Sequence, residues 1–186
     1  RYGIVYGALG VQPEEINDYT EDNLRFIEEH IDDDKILAVG EIGLDYHYEC
    51  DKELQKELFK KQLDIAKKHN KPVIIHSRDC ITETYNILKE TNVKGIMHCY
   101  SGSVEMAKEF VKIGFLLGIG GVSTFKNASK ILDVIKNIPL EYIVLETDAP
   151  YLSPEPYRGK RNEPCNVSVI LKKICEVKGI DYKDAS

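Results

Sequence analysis

Apolar positions along the chain gather into short runs separated by longer amphipathic stretches. The runs are Ile4 to Leu9, Leu37 to Gly40, Pro72 to His76, Lys94 to His98, Phe115 to Ile119 and Tyr142 to Leu145, and each has the length of a buried strand. Between them the spacing turns helical. Leu24, Ile27 and Ile31 recur three and four apart behind the acids Glu21 and Asp22. Leu54, Leu58, Leu63 and Ala66 form a long stripe that Asn70 and Pro72 end, and Tyr85 with Leu88 marks the next helix. Ala107, Phe110 and Val111 stop at Gly114, and Ile131, Leu132 and Ile135 end before Pro139. A last helix runs from Val167 to Val177 and closes at Gly179.

Strands alternating with helices predict a parallel sheet. Four of the runs lead into a side chain able to hold a metal: Glu41, His76, His98 and, beyond Glu146-Thr147, Asp148. A doubly wound sheet binds at one switch point, whereas the C-terminal strand ends of a barrel share one catalytic face. The expectation is therefore an α/β fold, a TIM-like (β/α) barrel. At roughly 30 residues per unit, 186 residues accommodate about six of the eight units. Residues 1–186 then read as a single partial barrel domain lacking its first two βα units. That fits an opening, Arg1-Tyr2-Gly3-Ile4-Val5-Tyr6, which already reads as a strand and has no initiating Met.

Composition narrows the field. The chain is 42% hydrophobic and 30% charged, a globular balance, and no apolar run approaches the roughly 20 residues of a membrane span. Five cysteines, with no CxxC pair, indicate neither a disulfide framework nor a thiolate zinc site, and the cytoplasm is the expected compartment. A net charge of −6 argues against broad adhesion to nucleic acid. Against that background the cluster Arg158-Gly159-Lys160-Arg161-Asn162 stands out as a local basic patch.

The ligand types suit hydrolysis. Carboxylates and imidazoles together bind zinc, manganese, iron or magnesium, and paired ions lower the pKa of a bound water while holding phosphodiester oxygens. Five blocks then carry a resemblance: Gly40-Glu41-Ile42-Gly43-Leu44-Asp45-Tyr46, Ile75-His76-Ser77-Arg78, His98-Cys99-Tyr100-Ser101-Gly102, Leu145 to Leu152 around Glu146-Thr147-Asp148-Ala149-Pro150, and Tyr157 to Pro164. In order, and across almost the whole chain, they resemble the TatD family of metal-dependent deoxyribonucleases. The resemblance implies a TIM-like barrel with a two-metal centre (Mg, Mn or Zn). Glu41 matches the carboxylate bridging both ions, His76 and His98 match ligands of the second, and Asp148 matches a ligand of the first that also takes a proton from the attacking water. The family's His-x-His pair on the first strand has no counterpart here, so the chain is expected to hold part of the centre and to bind the first ion poorly. A second departure is Gly10-Val11-Gln12-Pro13-Glu14, where the family commonly has Gly-Val-His-Pro-His.

Each residue also has a plainer reading. Glu41 could be a surface acid, His76 and His98 hydrogen-bonded core histidines, and Asp148 a turn cap before Pro150; recurrence at equivalent strand ends favours ligands. Arg78, two residues after His76, reads as a phosphate clamp rather than a rim ion pair. Arg158, Lys160, Arg161 and Asn162 read as contacts to a polyanionic strand, with Tyr151 or Tyr157 stacking on a base. Gly118 to Gly121 reads as structural, Lys126 and Lys130 as solvated, His47 as a weak rim candidate, and His30 and His69 as without a role. The expected partner is single-stranded DNA, which the resemblance implies is cut from its 3′ end, with no obligate protein partner. The rival readings are an amidohydrolase-type enzyme for a small amide, lactone or ester, and a noncatalytic nucleic-acid-binding barrel.

Overall fold

The computed structural model describes residues 3–185 and divides into two compact units, Arg1–Met97 and His98–Ser186. The first carries four strands, β1 (Gly7–Leu9), β2 (Ile36–Asp45), β3 (Val73–Arg78) and β4 (Gly95–Met97), paired in parallel and in sequence order. Helices α1 (Glu21–His30), α2 (Lys52–Lys68) and α3 (Ile81–Leu88) lie between them. Val39, Ile42, Leu44, Val73 and Ile75 are fully buried in the strands, and Leu58, Phe59, Leu63 and Ala66 are buried on α2.

Helix α2 does more than cover the sheet. Asp51 caps it, accepting from the backbone N–H of Glu53 and Leu54 at 3.1 and 3.0 Å. Two buried glutamines on its inner face then reach polar backbone. Gln55 accepts from the Asp45 N–H at 3.0 Å and donates to the Pro13 carbonyl at 3.0 Å. Gln62 accepts from the Val11 N–H at 2.7 Å and donates to its carbonyl at 3.1 Å. Buried amides with all groups engaged fix geometry, because an unmade bond there costs about 1–3 kcal/mol. The end of β2 and the 11–13 segment are thereby held.

The second unit contains α4 (Val104–Lys112), β5 (Phe115–Ile119), α5 (Ser129–Asn137), β6 (Ile143–Leu145), α6 (Val167–Lys178) and the short α7 (Tyr182–Ala185). Strands β5 and β6 pair in parallel, from Leu117↔Ile143 to Ile119↔Leu145. Tyr100, Phe110 and Phe115 meet edge to face with centroids 6.3 Å apart, the geometry that aromatic quadrupoles favour. Gly179, at φ 66°, terminates α6 in the left-handed conformation that glycine adopts without a Cβ penalty.

Five strand expectations need correction. Arg1 and Tyr2 lie outside the described residues, and the first strand begins at Gly7 instead of Ile4, because its ladder partner on β2 begins at Ile36. Ile4 and Val5 are 89% and 60% exposed. The second and third strands run past Glu41 and His76 to Asp45 and Arg78, since Ile42 and Leu44 continue to bury apolar surface and the two strands stay paired as far as Asp45↔Arg78. The fourth and sixth are cut to Gly95–Met97 and Ile143–Leu145, the latter preceded by a 3-10 turn over Leu140–Tyr142. The 3-10 turns at Pro13–Asp18, Gly121–Thr124 and Pro164–Asn166 carried no periodic signal in the sequence.

Candidate functional site

In the first unit the ladder register builds the site. Gly43 of β2 lies opposite His76 of β3, and side chains on a strand alternate faces with a period of two. Glu41 and Asp45, two residues to either side of Gly43, therefore bracket the imidazole. His76 Nδ1 lies 2.9 Å from Glu41 Oε1, and Nε2 lies 2.8 Å from Asp45 Oδ2. Only glycine fits at 43: its φ is +145°, and a Cβ would stand 2.0 Å from the His76 carbonyl oxygen. Asp45 is buried, and its other oxygen accepts from the His47 N–H at 2.9 Å. Gln12 Nε2 donates to Glu41 Oε2 at 3.2 Å. Burial by itself would lower the His76 pKa, but the hydrogen bonds to Glu41 and Asp45 outweigh it and hold the ring above its ordinary value.

In the second unit β5 serves as the template. Tyr100 N–H donates to the Gly118 carbonyl at 3.0 Å and Glu146 N–H to the Ile119 carbonyl at 3.2 Å, which carries His98 and Glu146 along either side of β5. His98 Nδ1 lies 2.5 Å from Glu146 Oε2, while Nε2 lies 3.5 Å from Asp148 Oδ1. Glu146 Oε1 accepts from the Cys99 N–H at 2.7 Å. His98 is also raised: burial opposes the charged ring, and hydrogen bonding to Asp148, Cys99 and Glu146 overcomes it. The Cys99 thiol is pushed up to about 12, chiefly by burial.

The loop after β6 depends on Asn162. Its buried amide donates to the Thr147 and Tyr151 carbonyls at 2.6 Å each, and its oxygen accepts from Glu163 N–H and Asn166 Nδ2 at 2.9 Å each. Both faces of the amide are thus engaged within the loop. Ser153 Oγ adds a bond to the Lys160 carbonyl at 2.6 Å. Arg158, Lys160 and Arg161 are exposed, with the Arg158 guanidinium 4.2 Å from the Phe125 ring centroid. Tyr151 and Tyr157 also reach solvent. The Gly118 to Gly121 stretch behaves as expected at one point: a Cβ on Gly121 would stand 2.0 Å from the Leu152 carbonyl, so glycine admits this loop. Back in the first unit, Arg78 ends β3 with its guanidinium 5.4 Å from the Tyr48 ring, and His47 Nδ1 lies 3.1 Å from Asp79.

Among the described residues two groups each bring their donor atoms within 4.8 Å: Glu14, Asp45 and His76 in the first unit, and His98, Cys99 and Glu146 in the second. Mixed imidazole and carboxylate donors at that spacing fit a divalent cation. The groups differ from the expected ligands in admitting Glu14, Asp45, Cys99 and Glu146 and in leaving out Glu41 and Asp148. Asp45 and Glu146 were already inside the Gly40–Tyr46 and Leu145–Leu152 blocks, and their place two residues from Gly43 and from Asp148 was the available signal. Glu14 lies on the 3-10 turn Pro13–Asp18 and Gln12 immediately before it, within the Gly10–Glu14 segment that already departs from the family pattern.

Parallel βα units and histidines set between carboxylates define a barrel of the metallohydrolase type. Comparison with known proteins gives the family: the model described as TatD related DNase matches residues 1–186, and the chain belongs to that family. It is 44% identical over 187 residues to YabD of Bacillus subtilis, named an uncharacterized metal-dependent hydrolase, covering 98% of this chain and 73% of that one. A Methanocaldococcus jannaschii relative of the same description, MJ1582, is 41% identical over 150 residues, covering 81% of this chain and 58% of that one. The crystal structure of YjjV, a TatD homologue from Escherichia coli, matches with a TM-score of 0.93 at 33% identity, covering 99% of this chain and 73% of that one. The fold is α/β and TIM-barrel-like, as expected.

Proposed function

We propose that this protein is a metal-dependent deoxyribonuclease that hydrolyses phosphodiester bonds in single-stranded DNA from the 3′ end. The observation that carries the reading is the setting of both expected ligand histidines: His76 lies 2.9 Å from Glu41 and His98 lies 3.5 Å from Asp148, the carboxylates expected as ligands. Glu41, His76, His98 and Asp148 are the proposed metal ligands, for two divalent ions such as Mg²⁺, Mn²⁺ or Zn²⁺. When bound, such ions lower the pKa of a coordinated water and neutralise charge developing on the phosphate. Asp148 takes the proton of the attacking water. Arg158, Lys160 and Arg161 contact backbone phosphates, Arg78 clamps a phosphate on its own unit, and Tyr151 and Tyr157 offer stacking surfaces. Asn162 acts on the substrate indirectly, by holding the loop that carries these groups. The cytoplasm is the proposed compartment, and residues 1–186 are read as part of one barrel domain.

The test is cleavage of a 5′-labelled single-stranded oligonucleotide by the protein at its natural length, with Mg²⁺ or Mn²⁺, beside EDTA and Glu41→Ala controls. A metal-dependent ladder shortening from the 3′ end, absent from both controls, is the expected result. No cleavage by folded, metal-loaded protein removes the deoxyribonuclease reading and turns the search to small amides, lactones and esters.

A further inference from the structure

We infer that Asp45 and Glu146 are positioning residues that lock His76 and His98 into opposite tautomers. The inference rests on the metal reading above and extends it to two residues with no role there. In each unit the histidine lies between two carboxylates of different character. One is a proposed ligand: Glu41 beside His76 Nδ1, and Asp148 beside His98 Nε2. The other is tied to the backbone. Asp45 uses Oδ2 on the ring and Oδ1 on the His47 N–H, and its own N–H is held by Gln55. Glu146 uses Oε2 on the ring and Oε1 on the Cys99 N–H.

A carboxylate that already accepts a backbone N–H is fixed in place, and its remaining oxygen accepts the ring proton. A metal ligand must be a neutral imidazole with one nitrogen protonated, and an outer carboxylate decides which one. Asp45 therefore assigns the proton of His76 to Nε2, leaving the Nδ1 lone pair directed toward Glu41. Glu146 assigns the proton of His98 to Nδ1, leaving the Nε2 lone pair directed toward Asp148. Asp45 and Glu146 accordingly stand behind the ligands, although their oxygens lie close enough to be mistaken for ligands themselves.

The direct test needs no variant. In the zinc-loaded protein, ¹⁵N-detected spectra of the five histidines are expected to show His76 protonated at Nε2 and His98 protonated at Nδ1. Asp45→Asn and Glu146→Gln, which present a donor where the ring needs an acceptor, are expected to weaken zinc binding about 10–100-fold by calorimetry. Asp45→Glu and Glu146→Asp, which keep the charge, are expected to recover part of that loss. Both rings in the same tautomer, or amide variants that bind zinc as tightly as the parent, overturn the inference while leaving the metal reading in place. A protein that takes up no zinc, manganese or magnesium overturns the metal reading and this inference together.

Discussion

The two units reach one chemical arrangement, a histidine between two carboxylates, by different structural means. In the first, two adjacent strands in register set all three groups: Glu41, Asp45 and His76 are placed by the Gly43↔His76 pairing. In the second, His98 and Asp148 lie beyond regular strands, beside residues whose backbones enter the left-handed region, Cys99 at φ 43°, Asp148 itself at 53° and Leu152 at 50°. Such conformations cost of order 1–3 kcal/mol each for residues other than glycine and persist only when their surroundings hold them. Here Glu146 holds Cys99, and Asn162 holds the segment around Asp148. A ladder supports its centre through many equivalent bonds, whereas the loop depends on a few side chains. Single substitutions should therefore act differently in the two units.

The largest effect is expected at Asp148. Asp148→Asn keeps the size and removes the proposed proton acceptor, and the proposed DNA hydrolysis should fall roughly 10²–10⁴-fold in a steady-state assay with the fold intact. Retention of full turnover would leave Asp148 without its proposed role. Next is Gly43→Ala, which asks a methyl group to occupy space 2.0 Å from a backbone oxygen at φ +145°. A loss of about 3 kcal/mol or more in urea unfolding is expected, because strain and overlap add. A stable Gly43→Ala protein would show that register is not what places His76.

This difference also explains what could be read from the chain. The barrel class and the strand centres were visible as apolar runs, and the Phe115–Ile119 strand was placed to the residue. Glu41 and His76 were misplaced at strand ends, because a run of Gly40, Ile42, Gly43 and Leu44 gives no signal for where a ladder stops. Partner availability decides that, as it does at Ile4 and Val5. Asp45 and Glu146 were overlooked for a related reason. A buried carboxylate beside a histidine is a property of the pairing between segments 31 and 48 residues apart, and periodicity within one segment does not contain it. Asn162 looked like a surface contact because its neighbours are charged; its burial follows from the path of the loop.

Asn162→Ala tests the bracing of the second unit. It strips hydrogen bonds from the Thr147 and Tyr151 carbonyls, and about 2 kcal/mol of stability should be lost. Amide exchange should quicken around residues 147–151 while β2 and β3 stay protected. Uniform acceleration in both units would erase the distinction drawn between them. A gentler change is replacing Arg158, Lys160 and Arg161 together by alanine. All three are exposed, so folding should be unaffected, while the dependence of single-strand affinity on salt should shallow by about 0.7 in log–log slope for each phosphate contact removed. An unchanged slope would move the nucleic-acid contacts elsewhere.

The smallest effect is a pH dependence that both units should share. His76 and His98 are each held above the ordinary imidazole value of about 6.5, so the folded metal-free chain binds protons more tightly there than the unfolded chain does. The sign follows: their stabilisation is complete below the unfolded value and is lost as pH rises through the folded one. Metal-free protein should therefore lose urea resistance as pH is raised above about 6.5, and His76→Gln and His98→Gln should each remove part of that slope. A bound cation replaces the ring protons, so affinity for it should rise over the same interval and the loaded protein should be nearly insensitive to pH there. A metal-free protein whose stability is flat above pH 6.5 would mean that neither ring is charged between its carboxylates.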